Sequence, residues 1–301
     1  KYFSVLVCCI SMMSSSSVGC ASRRASACSA AVFEIKSGSI KFINKVPTFG
    51  KSFICIDDKN NNDLLKRLKI KNYFTYGTNP KSQFYIKNIK QFKDFSEYDL
   101  SIKLPGKKNL NIKNIKIPLL GIHNIRNSTA AAAVSLTIGI SPTLIKNGLR
   151  EFKGVQRRFN KIFSYRETHF YDDYAHHPTE IKEVLNGVRA AYKKEEVICI
   201  FQPHRISRLK DLKKEFSLSF KKADTVILCP IYAAGEKIKL GFNYMNFAKE
   251  IIKNSNVKLF MVNDQYQLAK FIKNNIYGKK IVVGMGAGTI SSWMRELPKL
   301  I

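Results

Sequence analysis

Several features that would assign a function quickly are missing from the 301-residue sequence. No CxxC pair is present, which argues against a zinc site. No apolar run is long enough to span a membrane, because KYFSVLVCCI, the nearest candidate, is too short. Residues 1–32 contain neither aspartate nor glutamate, and the whole chain contains only five histidines. What is present is a 45% apolar fraction, enough to build the cores of roughly two domains.

The charge is strongly basic, with 51 lysines and arginines against 22 acidic residues and a net charge of +29. A charge of this size often indicates nucleic-acid binding. Here the lysines are spread along the chain, so we interpret the charge as a compositional bias. Nucleic-acid binding is the least favoured hypothesis, because no known binding motif appears. A modest electrostatic benefit for an anionic, phosphate-bearing substrate remains compatible with this charge.

The seven cysteines fall into two groups. Four lie in the first 28 residues, and three, Cys55, Cys199 and Cys229, lie singly in apolar runs such as EEVICIFQ. Single cysteines in apolar runs behave as small buried hydrophobes, and unpaired thiols are typical of a reducing compartment. The sequence therefore predicts a cytoplasmic location.

Residues 1–32 differ in composition from the rest, since SMMSSSSVGCASRRASACSAA is a low-complexity tract. One interpretation is a targeting segment, which is often rich in serine and arginine and poor in acids. The other is sequence foreign to the fold, which we favour because the chain begins with Lys1. We assign no secondary structure to this leader and treat it as non-homologous.

Residues 33–153 are predicted to form the first globular unit, with both strands and helices. KSFICIDD and NYFTYG are typical of buried strands, with the amphipathic helix NNDLLKRLKI between them. FYIKNIKQF, YDLSIKLPG and LNIKNIKIPLLG alternate like half-exposed antiparallel strands. An alanine-rich helix is predicted over residues 127–138 and ends at Gly139. Ser141 and Pro142 begin the next helix.

Residues 154–301 alternate between strand and helix patterns, which predicts an α/β fold with a mostly parallel, doubly wound, Rossmann-like sheet. Five apolar runs are predicted strands: HFYDDYA, EEVICIFQ, DTVILCP, VKLFMV and KKIVVGMG. The segments DDYAHHP, QPHRISR, PIYAAGE and GMGAGT each follow one of them. Ligands bind at the carboxyl ends of strands in such sheets, so we expect these segments to form a site.

Two further segments carry polar side chains suited to a nucleotide. GIHNIRN places His123, Asn124 and Asn127 at the start of a helix, where they either cap it or recognise an adenine edge or a phosphate oxygen. In KGVQRRF, Arg157 and Arg158 are either a solvated pair or phosphate ligands. The sequence alone leaves both choices open.

QPHRISR is the segment where a functional role is favoured most clearly. It places His204, Arg205 and Arg208 at the start of a predicted helix. Cations are disfavoured at a helix N-terminus, whereas bound anions are favoured there. Two guanidinium groups at this position therefore suit a carboxylate or phosphate ligand. The PIYAAGE loop, with Tyr232, Gly235 and Glu236, is a weaker candidate to flank the substrate, and the glycines of GMGAGT are weak evidence because no complete GxGxxG is present.

The segment FYDDYAHHPTEI, residues 170–181, combines two carboxylates, a phenol and two imidazoles with the start of a helix. Taken with GIHNIRN, FKGVQRRF, FQPHRISR, YAAGE and GMGAGT, it resembles the Mur ligases, in which these segments occur in the same order. The resemblance runs from about residue 40 to the C-terminus. It is closest to the members that add L-alanine to UDP-N-acetylmuramate. Members that attach a tripeptide to the same sugar share the DDYAHHPT-type segment but differ at FQPHRISR.

The resemblance implies a ligase of peptidoglycan synthesis whose substrates are UDP-N-acetylmuramate, L-alanine and ATP, with Mg²⁺ as the counter-ion. ATP would convert the sugar carboxylate to an acyl phosphate, which the amino group of L-alanine attacks. The residues implied to bind ATP are His123, Asn124, Asn127, Arg158, Asp173 and Tyr174. Those implied to bind substrate are Tyr174, His176, His204, Arg205 and Arg208, of which the last four form the pocket for the amino acid. Arg158, Asp173 and His176 are the implied catalytic residues, the DDYAHH segment is implied to face a cleft between two domains, and no metal ligand is assigned.

The sequence also departs from the family pattern. It contains no GxxxxGK[ST] phosphate loop, and the family's metal-binding Glu and His are missing. Residues 33–153 are thus expected to be the C-terminal part of a central ATP-binding domain, and residues 154–301 the C-terminal Rossmann-like domain. We expect the chain to be inactive alone, and a non-catalytic fragment or binding module stays open as an alternative.

Overall fold

The computed structural model describes residues 5–8, 40, 43–47, 50–69, 72–236 and 242–301. Most of the leader, residues 1–4 and 9–32, therefore lies outside the described residues. The chain divides into two compact units. Unit 1 comprises Lys1–Lys90, Ser96–Ile117 and His123–Phe152, and unit 2 comprises Gln91–Phe95, Pro118–Ile122 and Lys153–Ile301. Each unit contains a six-stranded sheet.

The sheet of unit 1 has the strand order β1-β2-β3-β4-β5-β6. Its strands are β1 (Val5–Cys8), β2 (Lys51–Cys55), β3 (Tyr73–Gly77), β4 (Phe84–Gln91), β5 (Ser96–Ile102) and β6 (Leu110–Ile117). Strands β2, β3 and β4 pair in parallel, while β5 and β6 pair antiparallel. The expectation of antiparallel pairing was therefore wrong for β4 on β3. Strand β1 was also not predicted; it lies in the leader and pairs antiparallel with β2, as suits the β-branched VLVC run.

The core of unit 1 combines aromatic and aliphatic side chains. Phe53, Tyr76, Phe84 and Tyr98 are all fully buried, and the Tyr98 hydroxyl lies 2.8 Å from the hydroxyl of Ser128. In β4, buried positions at first alternate with partly exposed ones, as expected when one face packs inward. In β2, four consecutive positions are buried, so both of its faces are covered. The prediction of half-exposed strands is confirmed by the exposed positions within β4 and β6.

Three helices complete the described part of unit 1: α1 (Lys59–Arg67), α2 (Ile122–Thr137) and α3 (Pro142–Arg150). Helix α2 begins five residues earlier than the predicted start at residue 127, because Ile125 is fully buried and anchors the polar first turn. The predicted boundaries after it are confirmed. Gly139 adopts a left-handed φ of 89°, and the Ser141 side chain caps α3 ahead of Pro142.

The sheet of unit 2 has the order β11-β10-β9-β12-β8-β7. Its strands are β7 (Asn160–Tyr165), β8 (Thr168–Asp173), β9 (Glu196–Phe201), β10 (Thr225–Leu228), β11 (Lys258–Met261) and β12 (Lys280–Met285). All five predicted strands are confirmed and pair in parallel. Strand β7 was not predicted; it adds an antiparallel edge to β8 through a tight hairpin.

The helices of unit 2 lie on both faces of this sheet, so the doubly wound arrangement is confirmed. They are α4 (Pro178–Ala191), α5 (Ile206–Asp211), α6 (Lys213–Ser217), α7 (Tyr244–Ser255), α8 (Gln265–Asn275) and α9 (Ile290–Leu300). The helix predicted to start in QPHRISR is broken at Leu212, whose φ of −120° is not helical. Helix α9 was missed. Within the described residues, no helix has the length and apolar content needed to cross a membrane.

Candidate functional site

The carboxyl edge of the unit 2 sheet collects the polar segments that sequence analysis singled out. Strands β8, β12, β9 and β10 are consecutive parallel neighbours, so their carboxyl ends meet at one edge. The DDYAHH, QPHR, PIY and GMGAG segments leave these four strands at this edge. The prediction that they share one edge is confirmed, as expected for a parallel sheet.

Four rings contributed by three of these segments form a continuous row, which we call the ring row: Tyr174, His176, His204 and Tyr232. Tyr174 and His176 meet edge to face with 5.0 Å between ring centroids. His176 and His204 are 5.6 Å apart, and His204 stacks on Tyr232 at 5.5 Å. A main-chain bridge between His204 and Tyr232 fixes the last pair. Ring contacts of this kind are favourable and restrict orientation.

Asp173 ends β8 directly before the ring row. Its carboxylate accepts hydrogen bonds from the Ala175 N–H at 2.7 Å and from the Phe159 N–H at 2.9 Å. Burial raises the pKa of Asp173 to about 7, although these two bonds and the positive charge of Arg158 oppose the shift. Near neutral pH this carboxyl group is therefore poised between its two protonation states.

Glu180 organises the histidine pair that follows. Its carboxylate accepts hydrogen bonds from the N–H groups of His176 and His177, at 3.1 and 3.2 Å. His177 in turn caps α4, so the two residues form a capping box. Sequence reasoning did not single out Glu180, although the spacing of a helix cap and an acid three residues later was a usable signal.

His176 is buried, and its ring has a defined orientation. Its Nδ1 lies 2.8 Å from the Tyr174 carbonyl oxygen, which can only accept, so the proton lies on Nδ1 and the lone pair on Nε2. Burial lowers the pKa of His176, against the opposing effect of the Glu180 carboxylate. The neutral imidazole is therefore favoured at neutral pH.

His204 lies beside Arg208, whose Nη1 is 3.3 Å from both the Nδ1 and the carbonyl oxygen of His204. Burial, together with the positive charge of Arg208, lowers the pKa of His204 to about 4. His204 is thus neutral in the physiological range. The positive charge of this region is carried by Arg205, which is exposed, and by the half-buried Arg208.

Helix α5 begins with basic residues, and an acidic side chain from another loop offsets their charge. Arg205 occupies the N-cap position with a left-handed φ of 70° and provides no side-chain cap. Instead, Glu236 from the YAAGE loop accepts hydrogen bonds from the N–H and the hydroxyl of Ser207, at 3.0 and 2.5 Å. These bonds lower the pKa of Glu236. An acidic side chain thus occupies the helix start, where it is favoured.

The glycines of GMGAGT serve close packing. A Cβ atom added to Gly288 would lie 2.5 Å from Gln202 Oε1 and 2.6 Å from Tyr232 Cγ. Gln202 also accepts from the Ile290 N–H at 3.0 Å and donates to the Thr289 hydroxyl at 2.9 Å. The loop therefore supports the end of the ring row, a role that the sequence pattern did not reveal.

The two neighbouring arginines of QRRF have different surroundings. Arg158, the predicted site residue, has an exposed side chain, and its N–H donates to Asn160 Oδ1 at 2.9 Å. Arg157 instead lies over the Tyr174 ring, with 4.7 Å between the guanidinium carbon and the ring centroid. Sequence reasoning considered Arg157 only as part of a solvated pair or as a phosphate ligand, and it missed the contacts of Arg157 with Tyr174 and Asp172.

The remaining predicted residues lie in unit 1, on the first turns of α2. His123 is half-buried, Asn124 is buried and Asn127 is exposed one turn later. The three belong to the helix itself rather than to a turn before it. Three of the ten predicted residues thus lie in unit 1. The other seven lie in unit 2: Arg158, Asp173, Tyr174, His176, His204, Arg205 and Arg208.

Two protein families match this chain. The Mur ligase middle domain matches residues 30–135, and the Mur ligase glutamate ligase domain matches residues 157–288. Among curated proteins, UDP-N-acetylmuramate–L-alanine ligase of Pelagibacter ubique is 81% identical over 268 residues, covering 89% of this chain and 58% of that protein. The protein of the same name from Bartonella tribocorum is 35% identical over 88% of this chain and 56% of its own length.

Solved structures agree in fold. The UDP-N-acetylmuramate–alanine ligase of Thermotoga maritima gives a TM-score of 0.60 at 24% identity, covering 75% of this chain and 47% of that one. A murein peptide ligase from Psychrobacter arcticus gives 0.63 at 18% identity, covering 88% of this chain and 54% of that one. The chain thus spans little more than half the length of the curated relatives it matches.

Proposed function

This chain belongs to the Mur ligase family, and from that premise we propose that it is the middle and C-terminal portion of an ATP-dependent ligase that joins L-alanine to UDP-N-acetylmuramate in peptidoglycan synthesis, in the cytoplasm. The observation that carries the proposal is the ring row flanked by Arg205 and Arg208 at the carboxyl edge of the unit 2 sheet. The 81% identity to a protein of that name favours L-alanine over a tripeptide as the second substrate.

The reaction requires two anions to be held while charge is transferred. A carboxylate oxygen of the sugar attacks the γ-phosphorus of ATP, the bond to ADP breaks, and an acyl phosphate forms. The amine of L-alanine then attacks the acyl carbon, the C–N bond forms, phosphate leaves and the amine loses a proton. Positioning and electrostatic stabilisation are the main contributions that a protein makes to such a transfer.

On the amino-acid side, Arg205 and Arg208 would bind the carboxylate of L-alanine. Charge-assisted hydrogen bonds from guanidinium groups suit this ligand, and the neutral His204 beside Arg208 adds no competing charge. His176 presents the Nε2 lone pair because its Nδ1 proton faces the Tyr174 carbonyl. An imidazole in this tautomer can accept a proton from the attacking amine.

On the nucleotide side, Asp173 and Tyr174 would contact the ribose and adenine of ATP, and Arg158 its phosphates. The exposed guanidinium of Arg158 supports a role toward a ligand, because no described contact occupies its side chain in unit 2. In unit 1, His123, Asn124 and Asn127 would provide further donors and acceptors to the nucleotide.

Mg²⁺ would neutralise the phosphate charge in this reaction. The described residues do not fit a metal site of their own, since no group of three or more His, Cys, Asp or Glu side chains among them could hold an ion.

The experiment that tests the proposal separates binding from chemistry. Saturation-transfer NMR should detect binding of L-alanine to the 301-residue chain. The signal should be weaker when D-alanine replaces L-alanine, and weaker for the Arg208→Ala variant. The same chain should release no phosphate from ATP when L-alanine and UDP-N-acetylmuramate are added, because its sequence contains no GxxxxGK[ST] loop. Restoring the length of the relatives should restore phosphate release that depends on L-alanine. A restored enzyme that prefers a tripeptide, or that releases no phosphate, would contradict the proposal.

A further inference from the structure

Two side chains outside the predicted site, Arg157 and Asp172, hold Tyr174 in place. The Arg157 guanidinium lies over the Tyr174 ring at 4.7 Å. The main-chain carbonyl of Arg157 also accepts a hydrogen bond from the Tyr174 N–H at 2.7 Å. One residue thus fixes both the backbone and the ring of Tyr174.

Arg157 is itself restrained from several directions. Its Nη2 donates to the Gly286 carbonyl at 2.5 Å, and its Nε lies 3.9 Å from the Asp172 carboxylate. Its backbone adopts a left-handed φ of 61°, which non-glycine residues rarely do. Such a conformation persists only where the surrounding structure determines it. The guanidinium is therefore held over the ring rather than resting there by chance.

Asp172 supplies the buried charge opposite Arg157. It is 2% exposed, and one carboxylate oxygen accepts from the Ser291 hydroxyl at 2.5 Å. Its other carboxylate oxygen and the Arg157 Nε have no hydrogen-bond partner among the described atoms. A buried carboxylate is costly unless positive charge lies near it, and the guanidinium groups of Arg157 and Arg295 each lie 3.9 Å from the same Asp172 oxygen.

Resting on the proposed function, which assigns Tyr174 to the nucleotide, we infer that Arg157 is a positioning residue that fixes the Tyr174 ring for stacking on adenine. Asp172 keeps the guanidinium over the ring. Preorganisation of this kind reduces the ordering cost when a ligand binds. Arg158, with its exposed side chain, is the arginine of this pair that meets the phosphates.

The first test observes the ring without any ligand. 3-Fluorotyrosine is incorporated at position 174 of the 301-residue chain, and its ¹⁹F resonance is compared among variants. Arg157→Ala should shift and broaden the resonance, Asp172→Asn should move it in the same direction, and Arg157→Lys should restore it in part. The matched control is Arg166→Ala, because Arg166 also has a left-handed φ, 46°, and lies over a tyrosine ring at 4.9 Å. A resonance that Arg157→Ala leaves unmoved overturns the inference.

The second test is a double-mutant cycle for ADP binding, measured by NMR titration. Arg157→Ala and Tyr174→Ala should each weaken binding by roughly 3- to 30-fold. The double variant should bind no more weakly than Tyr174→Ala alone, because Arg157 acts through the ring. Additive losses would show that Arg157 contacts the nucleotide directly and would overturn the inference.

The two tests separate this inference from the proposed function. If the wild-type chain binds no ADP while the ¹⁹F resonance still depends on Arg157, the proposed nucleotide site fails and the adenine role fails with it. If ADP binds but the ¹⁹F resonance is unchanged in Arg157→Ala, the proposed function stands and the inference alone is overturned.

Discussion

The two edges of the unit 2 sheet use similar residues in different ways. At the amino edge, Lys93 pairs with Glu195 at 3.0 Å and Arg189 pairs with Asp224 at 2.6 Å. At the carboxyl edge, Asp172 and Asp173 are both 2% exposed, and a buried oxygen of Asp172 has no described partner. The carboxylates of Glu195 and Asp224 at the amino edge are paired close to solvent, whereas those of Asp172 and Asp173 at the carboxyl edge are withdrawn from it.

The pKa values show what this difference does. At the amino edge the pKa of Glu195 is lowered: burial would raise it, but the hydrogen bond from Lys93 prevails. At the carboxyl edge the pKa of Asp173 rises to about 7, because burial outweighs two N–H donors. Both carboxylates accept two hydrogen bonds from N–H or ammonium groups, yet their pKa values move in opposite directions. Desolvation thus distinguishes a candidate site from an ordinary charged surface.

The largest effect expected from this contrast is on the pH dependence of stability. The folded state holds the Asp173 proton up to about pH 7, whereas the unfolded chain loses it near pH 4. The free energy of unfolding should therefore fall, relative to Asp173→Asn, by about 2–4 kcal/mol as pH rises from 4 to 7. Chemical denaturation of both proteins across this range measures the difference.

Glu195→Gln is the control at the amino edge. A carboxylate whose pKa is lowered on folding stabilises the protein at every pH above its pKa in the unfolded chain. This stabilisation is lost only as pH falls through the pKa of the folded state. The difference between this variant and the wild type should therefore stay constant from pH 5 to 8. A flat difference for Asp173→Asn over the same range would remove the contrast between the edges.

The next largest effect concerns the amino-acid substrate. In an enzyme restored to the length of its relatives, Arg208→Ala should raise the KM for L-alanine by roughly ten- to a hundredfold and the KM for ATP far less. Asn127→Ala should show the reverse pattern. Arg166→Ala, at the amino edge, should change neither constant by more than about twofold. If Arg208→Ala changed the KM for L-alanine and the KM for ATP equally, Arg205 and Arg208 would be better interpreted as general phosphate ligands.

The fold was largely readable from the sequence, for a specific reason. Strands such as EVICIF are apolar at every position after Glu196 because helices cover both faces, and that pattern has few alternatives. Strand β7 was missed because it is an edge strand with no buried position, so its pattern is not distinctive. Helix α5 was merged with α6 because the break at Leu212 leaves the apolar spacing intact.

The candidate site was readable only in part. Position in the chain revealed which loops follow parallel strands, and residue type revealed which of them carry chemistry. The sequence did not reveal that Arg157 rather than Arg158 contacts Tyr174, since two adjacent arginines have the same residue type and nearly the same sequence surroundings. It also did not reveal Glu236 as the acid that offsets Arg205, because that contact joins loops 29 residues apart.

A smaller effect is expected from the glycines at the two edges. Gly288→Ala should destabilise the chain by about 1–3 kcal/mol, because the new Cβ would meet Gln202 and the Tyr232 ring. Gly278→Ala, at the amino edge, meets nothing within 4 Å and carries only the cost of its left-handed φ of 75°, about 1 kcal/mol. Thermal unfolding measures both. Equal losses would mean that the carboxyl edge tolerates displacement of the ring row.

The smallest effect is expected at Arg166, which lies in the hairpin of the amino edge over Tyr165 and Tyr277, at 4.9 Å from each ring. Arg166→Ala removes both stacking contacts and the hydrogen bond that Nη1 donates to the Lys273 carbonyl at 3.0 Å, but it keeps a non-glycine residue at a φ of 46°. The expected loss in the free energy of unfolding is about 0.5–1 kcal/mol, typical of such contacts near the surface.

Arg166→Gly removes the same contacts but relieves the backbone, because glycine adopts a left-handed φ without steric cost. That relief of about 1 kcal/mol is partly offset by the greater freedom of glycine in the unfolded chain. The glycine variant should therefore be more stable than the alanine variant and lie within about 0.5 kcal/mol of the wild type. At Arg157 the same pair of substitutions should separate function from strain. Glycine would recover stability there as well, but it would not restore the Tyr174 resonance. If Arg157→Gly restored that resonance, the guanidinium would be dispensable, and the two edges would use their arginines alike.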